Sequence, residues 1–359
     1  MTKKKVILSG AAMLVSAVVL TAAIQRLLQP KYMSDVVEGN LIADYYNTGM
    51  DHDVVFVGDC ECYENFSPVV LWQEHGISST IRGSAQQLIW QSYYLLEDTL
   101  RYEKPDVAVF NVLSMKYATP QNEAYNRMSI EGMRWSKSKI DCIKASMTEE
   151  ESFLSYVFPI LRYHSRWSEL TADDFKYYFG AKPNFFSGYY LRADIKAAED
   201  VPEGRPLTDY NFGDTCWEYL DKMRTLCEDN GIQLLLVKAP SLYPYWYDEW
   251  NTQIIEYAEK YNLPYVNFLD EDIMSRTGID YQNDTYDGGL HMNLYGAEKL
   301  STWLGNYLVQ QYALEDRRDE SELAAEWEEI CSRYQEEYQR QVTNIQLYGD
   351  IHGSDHKQS

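Results

Sequence analysis

The sequence predicts an α/β fold on a doubly wound parallel sheet, preceded by a single membrane-spanning helix. Three observations carry this expectation: short unbroken apolar runs recur along the chain, capped helical patterns separate them, and one long uncharged run stands at the amino terminus. Apolar runs of four to eight residues bounded by turn signals suit strands buried on both faces. Their alternation with helices argues for a parallel sheet.

Lys3, Lys4 and Lys5 precede an uncharged run from Val6 to Ile24. As a helix this run rises about 28 Å, close to the hydrocarbon thickness of a bilayer. The basic cluster ahead of it predicts an N-in anchor with the main domain extracytoplasmic, although Arg26 and Lys31 beyond the run reduce the asymmetry. A cleaved signal peptide, with Thr21-Ala22-Ala23 at the cleavage site, is the alternative. Residues 1–28 are thus expected to be anchor with a short cytoplasmic start, and 29–50 a tether.

The α/β domain is expected over 51–315. Asp53–Gly58, Ser79–Gly83, Pro105–Asn111, Ile232–Lys238 and Pro264–Phe268 read as five strands. Between the first two, Ser67-Pro68 supplies an N-cap and a first-turn proline, and Gly76 a stop. Further helices are expected over about 85–103, from an Asp214 cap to Gly231, and from Asn293 to about Gln311. Between strands three and four lie some 120 residues, more than a crossover needs. The aromatic-rich part, about 119–205, is expected to form a helical cap over the cleft. Residues 316–348 read as an amphipathic helix and 349–359 as a disordered tail.

In 359 residues, 55 Asp and Glu face 32 Lys and Arg, a net charge of −23. Such a surface repels phosphate, which argues against nucleic acid as a partner. A mean hydropathy of −0.46 excludes a polytopic membrane protein. The six cysteines show no paired metal-ligand spacing and no histidine cluster, so neither a metal nor another cofactor is expected. Cys216 and Cys227 lie too far apart along one helix to pair.

Ligands of doubly wound sheets bind beyond the carboxyl ends of the strands, where Cys60, Gly83, Asn111 and Lys238 fall. Of six histidines, only His164 and His291 suit a catalytic base. His291 follows Asp287 by four residues on a glycine-containing loop ahead of the last core helix, and such an acid can orient an imidazole. Cys60 follows the first strand directly; near an imidazole it becomes a thiolate nucleophile, while without one it is a small buried hydrophobe.

Gly58-Asp59-Cys60, Gly83, Asn111 and Asp287 with His291 resemble, in order and strand context, the four blocks of the SGNH (GDSL-like) hydrolase superfamily. The resemblance covers roughly 51–311 and implies a flavodoxin-like, five-stranded sheet. It implies Cys60 as nucleophile, His291 as base and Asp287 as acid. The N–H groups of Cys60 and Gly83 and the Asn111 amide would form the oxyanion hole. Two features depart from the pattern: cysteine replaces serine, and the usual acid slot, three before the histidine, holds Gly288. Asp284 is a second candidate acid.

Candidate substrate-binding residues are Asp59, Arg82 and Lys238 at strand ends, and Arg162, His164 and Arg166 on the cap. Lys238 reads equally as a structural ion-pair member. Anchor, domain and insertion together are similar in architecture to bacterial surface-polymer acylation proteins of the teichoic acid D-alanylation and alginate O-acetylation type. That similarity implies a cell-envelope glycan or acylated polymer as substrate and a multi-pass membrane O-acyltransferase as partner. Three readings stand: an esterase or O-acyltransferase, an inactive binding or scaffold subunit, and a structural envelope protein.

Overall fold

The computed structural model describes residues 3–30, 38–49, 51–179, 186–199 and 201–353. Parts of the tether and insertion, and the tail from 354, therefore lie outside the described residues, as does Lys31.

The five apolar runs become strands β1 (Val54–Gly58), β2 (Ser79–Gly83), β3 (Val107–Asn111), β4 (Gln233–Lys238) and β5 (Tyr265–Asn267). All neighbours are parallel, in the order β2-β1-β3-β4-β5. This is a flavodoxin-like α/β architecture, with the order reversing between β1 and β3. The helices in chain order are α1 (Lys3–Leu28), α2 (Glu38–Asp44), α3 (Cys60–Asn65), α4 (Pro68–His75) and α5 (Ile89–Thr99). The insertion adds α6 (Glu123–Glu131), α7 (Lys137–Ser146), α8 (Phe153–Val157), α9 (Ile160–Tyr163) and α10 (Ala172–Tyr178). After it come α11 (Asp214–Asn230), α12 (Asp248–Tyr261), α13 (Glu271–Thr277), α14 (Leu294–Tyr312) and α15 (Ser321–Tyr348).

Alternate strand residues point to opposite faces, which explains the unbroken apolar runs. Val54, Phe56, Val109 and Leu235 join a core with α3, α4, α14 and α15. Val55, Val57, Ala108 and Leu236 join one with α5, α11 and α12. A third cluster, with Ile42, Leu95, Ile130 and Ile143, seats α6 and α7 on α5.

Several boundaries differ from expectation for local reasons. The helix expected from 85 begins at Ile89, because Gln87 closes a turn onto Ser84 and binds the Arg82 carbonyl. The cap position of α11 is Gly213, with Asp214 its first residue. The last helix starts only at Ser321; before it, Arg317 clamps Asp51, Asp53 and Glu320. Trp327 of α15 stacks on Trp72 of α4 at 5.4 Å. Within the expected tail, Ile351 is buried and its carbonyl accepts from Asn344 at 2.8 Å.

Arg82 does not line the cleft. At its place in the two-residue period of β2 it points to the α5 face and is fully buried. Its guanidinium donates to the Leu95 carbonyl, Thr99 and Tyr46, pairs with Asp98 at 3.1 Å, and lies over the Tyr45 ring. It pins α5 and the turn after α2 to the sheet. Replacing it leaves the buried Asp98 carboxylate only Arg101 and the Tyr46 hydroxyl as partners, so Arg82→Ala should lower unfolding stability by about 3 kcal/mol. Urea titration followed by circular dichroism measures this.

Candidate active site

The site forms where β1 turns into α3. A β-carbon on Gly58 would stand 2.6 Å from the Cys62 sulfur and 3.0 Å from Asn111 Cβ, so only glycine lets β1 run this close to β3. Asp59 caps α3 by accepting from the Glu61 N–H at 3.2 Å. Cys60, the first residue of α3, is partly exposed. Gly83 packs beneath this turn; a β-carbon there would lie 3.1 Å from the Gly58 carbonyl oxygen.

The second half of the site is the loop from Thr285 to Met292, two residues that form a bridge to each other. Gly288 and Gly289 have φ of 88° and 103°, a region that favours glycine. These two residues fold the loop back on itself and bring Asp287 onto His291, four positions later. Asp287 Oδ2 lies 2.7 Å from His291 Nδ1, and its Oδ1 accepts from the His291 N–H at 3.0 Å. Asp284 does not reach the histidine: it pairs with Lys299 at 2.6 Å and accepts from the Asp280 N–H.

Asn65 joins the two halves. At the end of α3 it accepts from the Met292 N–H at 2.8 Å and donates to the Pro240 carbonyl at 3.2 Å. The residue beside His291 is thereby tied to the helix that starts with Cys60. From that helix Glu64 also reaches the imidazole, its Oε2 3.6 Å from Nδ1, and accepts from the Tyr286 hydroxyl. The Tyr286 ring stacks beside His291, and Arg192 lies over it at 4.2 Å. Tyr243 braces the loop by donating to the Asp287 carbonyl at 2.7 Å.

His291 is thus buried between two carboxylates, and its Nε2 meets no hydrogen-bond partner among the described residues. Burial alone would lower its pKa, but the charge of Glu64, the neighbouring Cys60 and the Asp287 hydrogen bond raise it well above the ordinary value. Burial would likewise raise Asp287, yet the bonds and charge of His291 bring it below the usual carboxylate range. Burial raises the Cys60 thiol, opposed chiefly by the His291 charge. Thiol and imidazole are therefore direct electrostatic neighbours.

Asn111 and Lys238 have other partners. The Asn111 amide donates to Asp59 Oδ1 and Glu61 Oε2, each at 3.0 Å, and its carbonyl accepts from the Ala239 N–H. Both of its donor hydrogens are engaged, so in this arrangement it fastens β3 to α3 and offers no free donor to a ligand. Lys238 is fully buried and bonds both Glu61 oxygens at 3.0 Å, the Ala239 carbonyl and Ser241. It is an ion-pair member and lines no cleft. Burial and the charge of Glu61 push Asp59 up to about 6. It is buried and turned toward Asn111, away from a substrate position.

Arg162 and Arg166 of the insertion are engaged by partners other than the candidate site. Arg162 pairs with Glu123 at 3.0 Å, and Arg166 with Asp174 and the Leu28 carbonyl at the end of α1. His164 is exposed on the 3-10 turn between them. The extended chain beyond Phe186 does reach the site: Tyr190 bonds the Tyr63 carbonyl, and Lys196 and Ala198 bond Thr285 and Tyr281.

Sequence reasoning missed Glu64, Asn65 and Lys116. Glu64 carries a local signal, standing four residues after Cys60 on the same helix. Lys116, in the turn after β3, is close enough for Asp59, Glu61 and Cys60 to favour its charge, although burial lowers its pKa overall.

The sequence matches no family model and no curated protein. Its fold is similar to solved structures at low identity. One is a GDSL-like lipase of Bacteroides thetaiotaomicron, 12% identical over 77% of this chain and all of that one, with a TM-score of 0.36. Another is a presumed lipolytic protein of the G-D-S-L family from Desulfitobacterium hafniense, 14% identical over 71% of this chain and 99% of that one, TM-score 0.35. A presumed acylhydrolase of Bacteroides fragilis is 13% identical over 72% of this chain and 87% of that one, TM-score 0.34.

The geometry makes the thiol's titration depend on the imidazolium. With His291 in place, alkylation of Cys60 by iodoacetamide should rise with pH through a midpoint above that of a free cysteine, because the thiol must lose its proton from a buried position. His291→Gln removes the opposing charge and should move that midpoint up by about 1 unit or more. Glu64→Gln should lower the histidine's own pKa, read from its imidazole NMR shift. Peptide-resolved mass spectrometry separates Cys60 from the half-exposed Cys331.

Proposed function

We propose that this protein is an SGNH-type esterase or O-acyltransferase that uses Cys60, His291 and Asp287 on acyl groups of an extracytoplasmic cell-envelope glycan or polymer. One observation carries the reading: a buried imidazole, bonded to Asp287 through Nδ1, keeps an Nε2 unpartnered among the described residues beside a partly exposed thiol at the carboxyl end of β1. The α1 helix, long and apolar enough to cross a membrane, supports an anchored, extracytoplasmic domain.

In this mechanism the Cys60 thiolate attacks the acyl carbon and His291 is an imidazolium. The N–H of Cys60, in a helical first turn that has no intrahelical acceptor, meets the developing oxyanion with Gly83. Lys116 adds positive charge nearby. The leaving alkoxide takes the Nε2 proton, which leaves a thioester and a neutral imidazole. Water or a sugar hydroxyl then attacks the thioester, His291 accepts its proton, and the thiolate departs. Asp287 holds the ring in one tautomer throughout. The acyl donor and acceptor chemistry suits a partner such as a multi-pass membrane O-acyltransferase.

A second reading, a binding subunit for that acyltransferase, is favoured by the engaged Asn111 amide and the raised thiol. The two readings separate in one experiment. On a chromogenic acetate ester, His291→Ala should lower kcat/KM by about 10²–10⁴-fold, and acid quenching of the wild type should trap one acyl group on Cys60. Cys60→Ser should lower the rate, because a histidine raised well above its ordinary pKa is a poor base for a serine hydroxyl. If no acyl-enzyme forms at any pH and Cys60→Ala leaves polymer acylation in cells intact, the binding reading stands in its place.

A further inference from the structure

Scattered exposed apolar side chains are ordinary on a protein surface. Here they are concentrated. Outside α1, half of the large exposed hydrophobics among the described residues fall in the 45-residue stretch from Trp135 to Phe179. Of the nine tryptophans, only two are exposed, Trp135 at 50% and Trp167 at 72%, and both lie in this stretch. Phe158, Leu161, Phe175 and Phe179 accompany them.

The elements that carry these side chains are fastened to the carboxyl end of α1. Arg166, beside Trp167, donates to the Leu28 carbonyl at 2.7 Å; Gln29 donates to Glu131; Arg26 lies over the Tyr178 ring. Trp135, Val157 and Pro159 share with Ala22 and Gln25 of α1 the walls of an open cavity of about 580 Å³. The apolar face is therefore continuous with the surface of α1, which is itself uncovered.

Helix geometry sets the depth of this face. The uncharged run ends at Ile24, and Leu28 lies four residues further, about 6 Å along the axis. The headgroup layer extends roughly 5–8 Å beyond the hydrocarbon on each side. With Val6–Ile24 across the bilayer, the Leu28 carbonyl and the turn bonded to it stand within that layer, where tryptophan and other aromatic rings concentrate.

We infer that the helical part of the insertion is a membrane-seating collar: Trp135, Phe158, Leu161, Trp167, Phe175 and Phe179 dip into the lipid interface around the exit of α1. The domain then rides on the bilayer surface, and the tether fixes more than its distance. The strongly acidic surface elsewhere makes a zwitterionic bilayer the fitting partner. This inference rests on α1 as a membrane span and is independent of the chemistry at Cys60.

Because α1 contains no tryptophan, lipid quenching reads the collar alone. The full chain is reconstituted into phosphatidylcholine vesicles, with or without bromine on acyl carbons near the headgroup, and only protein that floats with the vesicles is measured. Brominated lipid should remove part of the tryptophan emission, and Trp135→Phe with Trp167→Phe should abolish that loss while flotation persists. Retention of native circular dichroism shows that the variant is folded. Floated wild-type protein without quenching, or quenching that survives the double substitution, overturns the collar. Absence of quenching with concentration-dependent self-association would assign the face to a second copy.

Discussion

A lysine and a glutamate sealed from water hold the carboxyl edge of the sheet together. Lys238 ends β4, Glu61 comes from α3, and neither has any exposed surface. An ion taken out of water carries a penalty of several kcal/mol unless its partner and remaining hydrogen bonds are in place. Here they are: Lys238 also binds Ala239 and Ser241, and Glu61 also receives Ser241 and Asn111. Since Asn111 grips Asp59 and the Ala239 N–H as well, the ends of β1, β3 and β4 and the start of α3 are one unit. Cys60 stands between two of its members, Asp59 and Glu61. Its position is therefore imposed by a network it takes no part in.

That network explains which residues the sequence revealed and which it concealed. Strands buried on both faces leave unbroken apolar runs, so all five were legible, with ends within two residues or so. Cys60, Asp287 and His291 were legible because a strand end and a glycine-containing loop place them with little help from distant chain. Arg82 misled because a strand end shows which residues approach the cleft, while the face a side chain takes depends on register. Lys238 was ambiguous for a different reason. A cation at a strand end serves an open cleft or a buried carboxylate equally well, and the deciding partner, Glu61, lies 177 positions away.

The insertion shows the same limit. Its aromatic-rich composition led to the expectation of a helical cap, but composition does not name what covers an apolar side chain. The helices were expected over the cleft, and they dock on α5 and on the end of α1. The site is bordered instead by the extended stretch after Phe186, held by backbone bonds from Tyr190, Lys196 and Ala198. Extended chain that bonds through its backbone leaves no side-chain pattern to read.

In the proposed mechanism the cysteine fits the charges around the histidine. A serine nucleophile needs a neutral imidazole at rest, because an alkoxide is too basic to persist beside an imidazolium. Here Glu64 and Asp287 both face Nδ1 and raise the histidine well above its ordinary pKa, which favours the imidazolium. Serine would be poorly activated beside it. A thiol gives up its proton more readily than a hydroxyl; burial raises Cys60 overall, and the imidazolium charge opposes that rise. In the proposed mechanism Glu64, one turn from Cys60 on α3, acts in two directions: it raises the histidine and so favours the imidazolium, and its charge also raises the thiol.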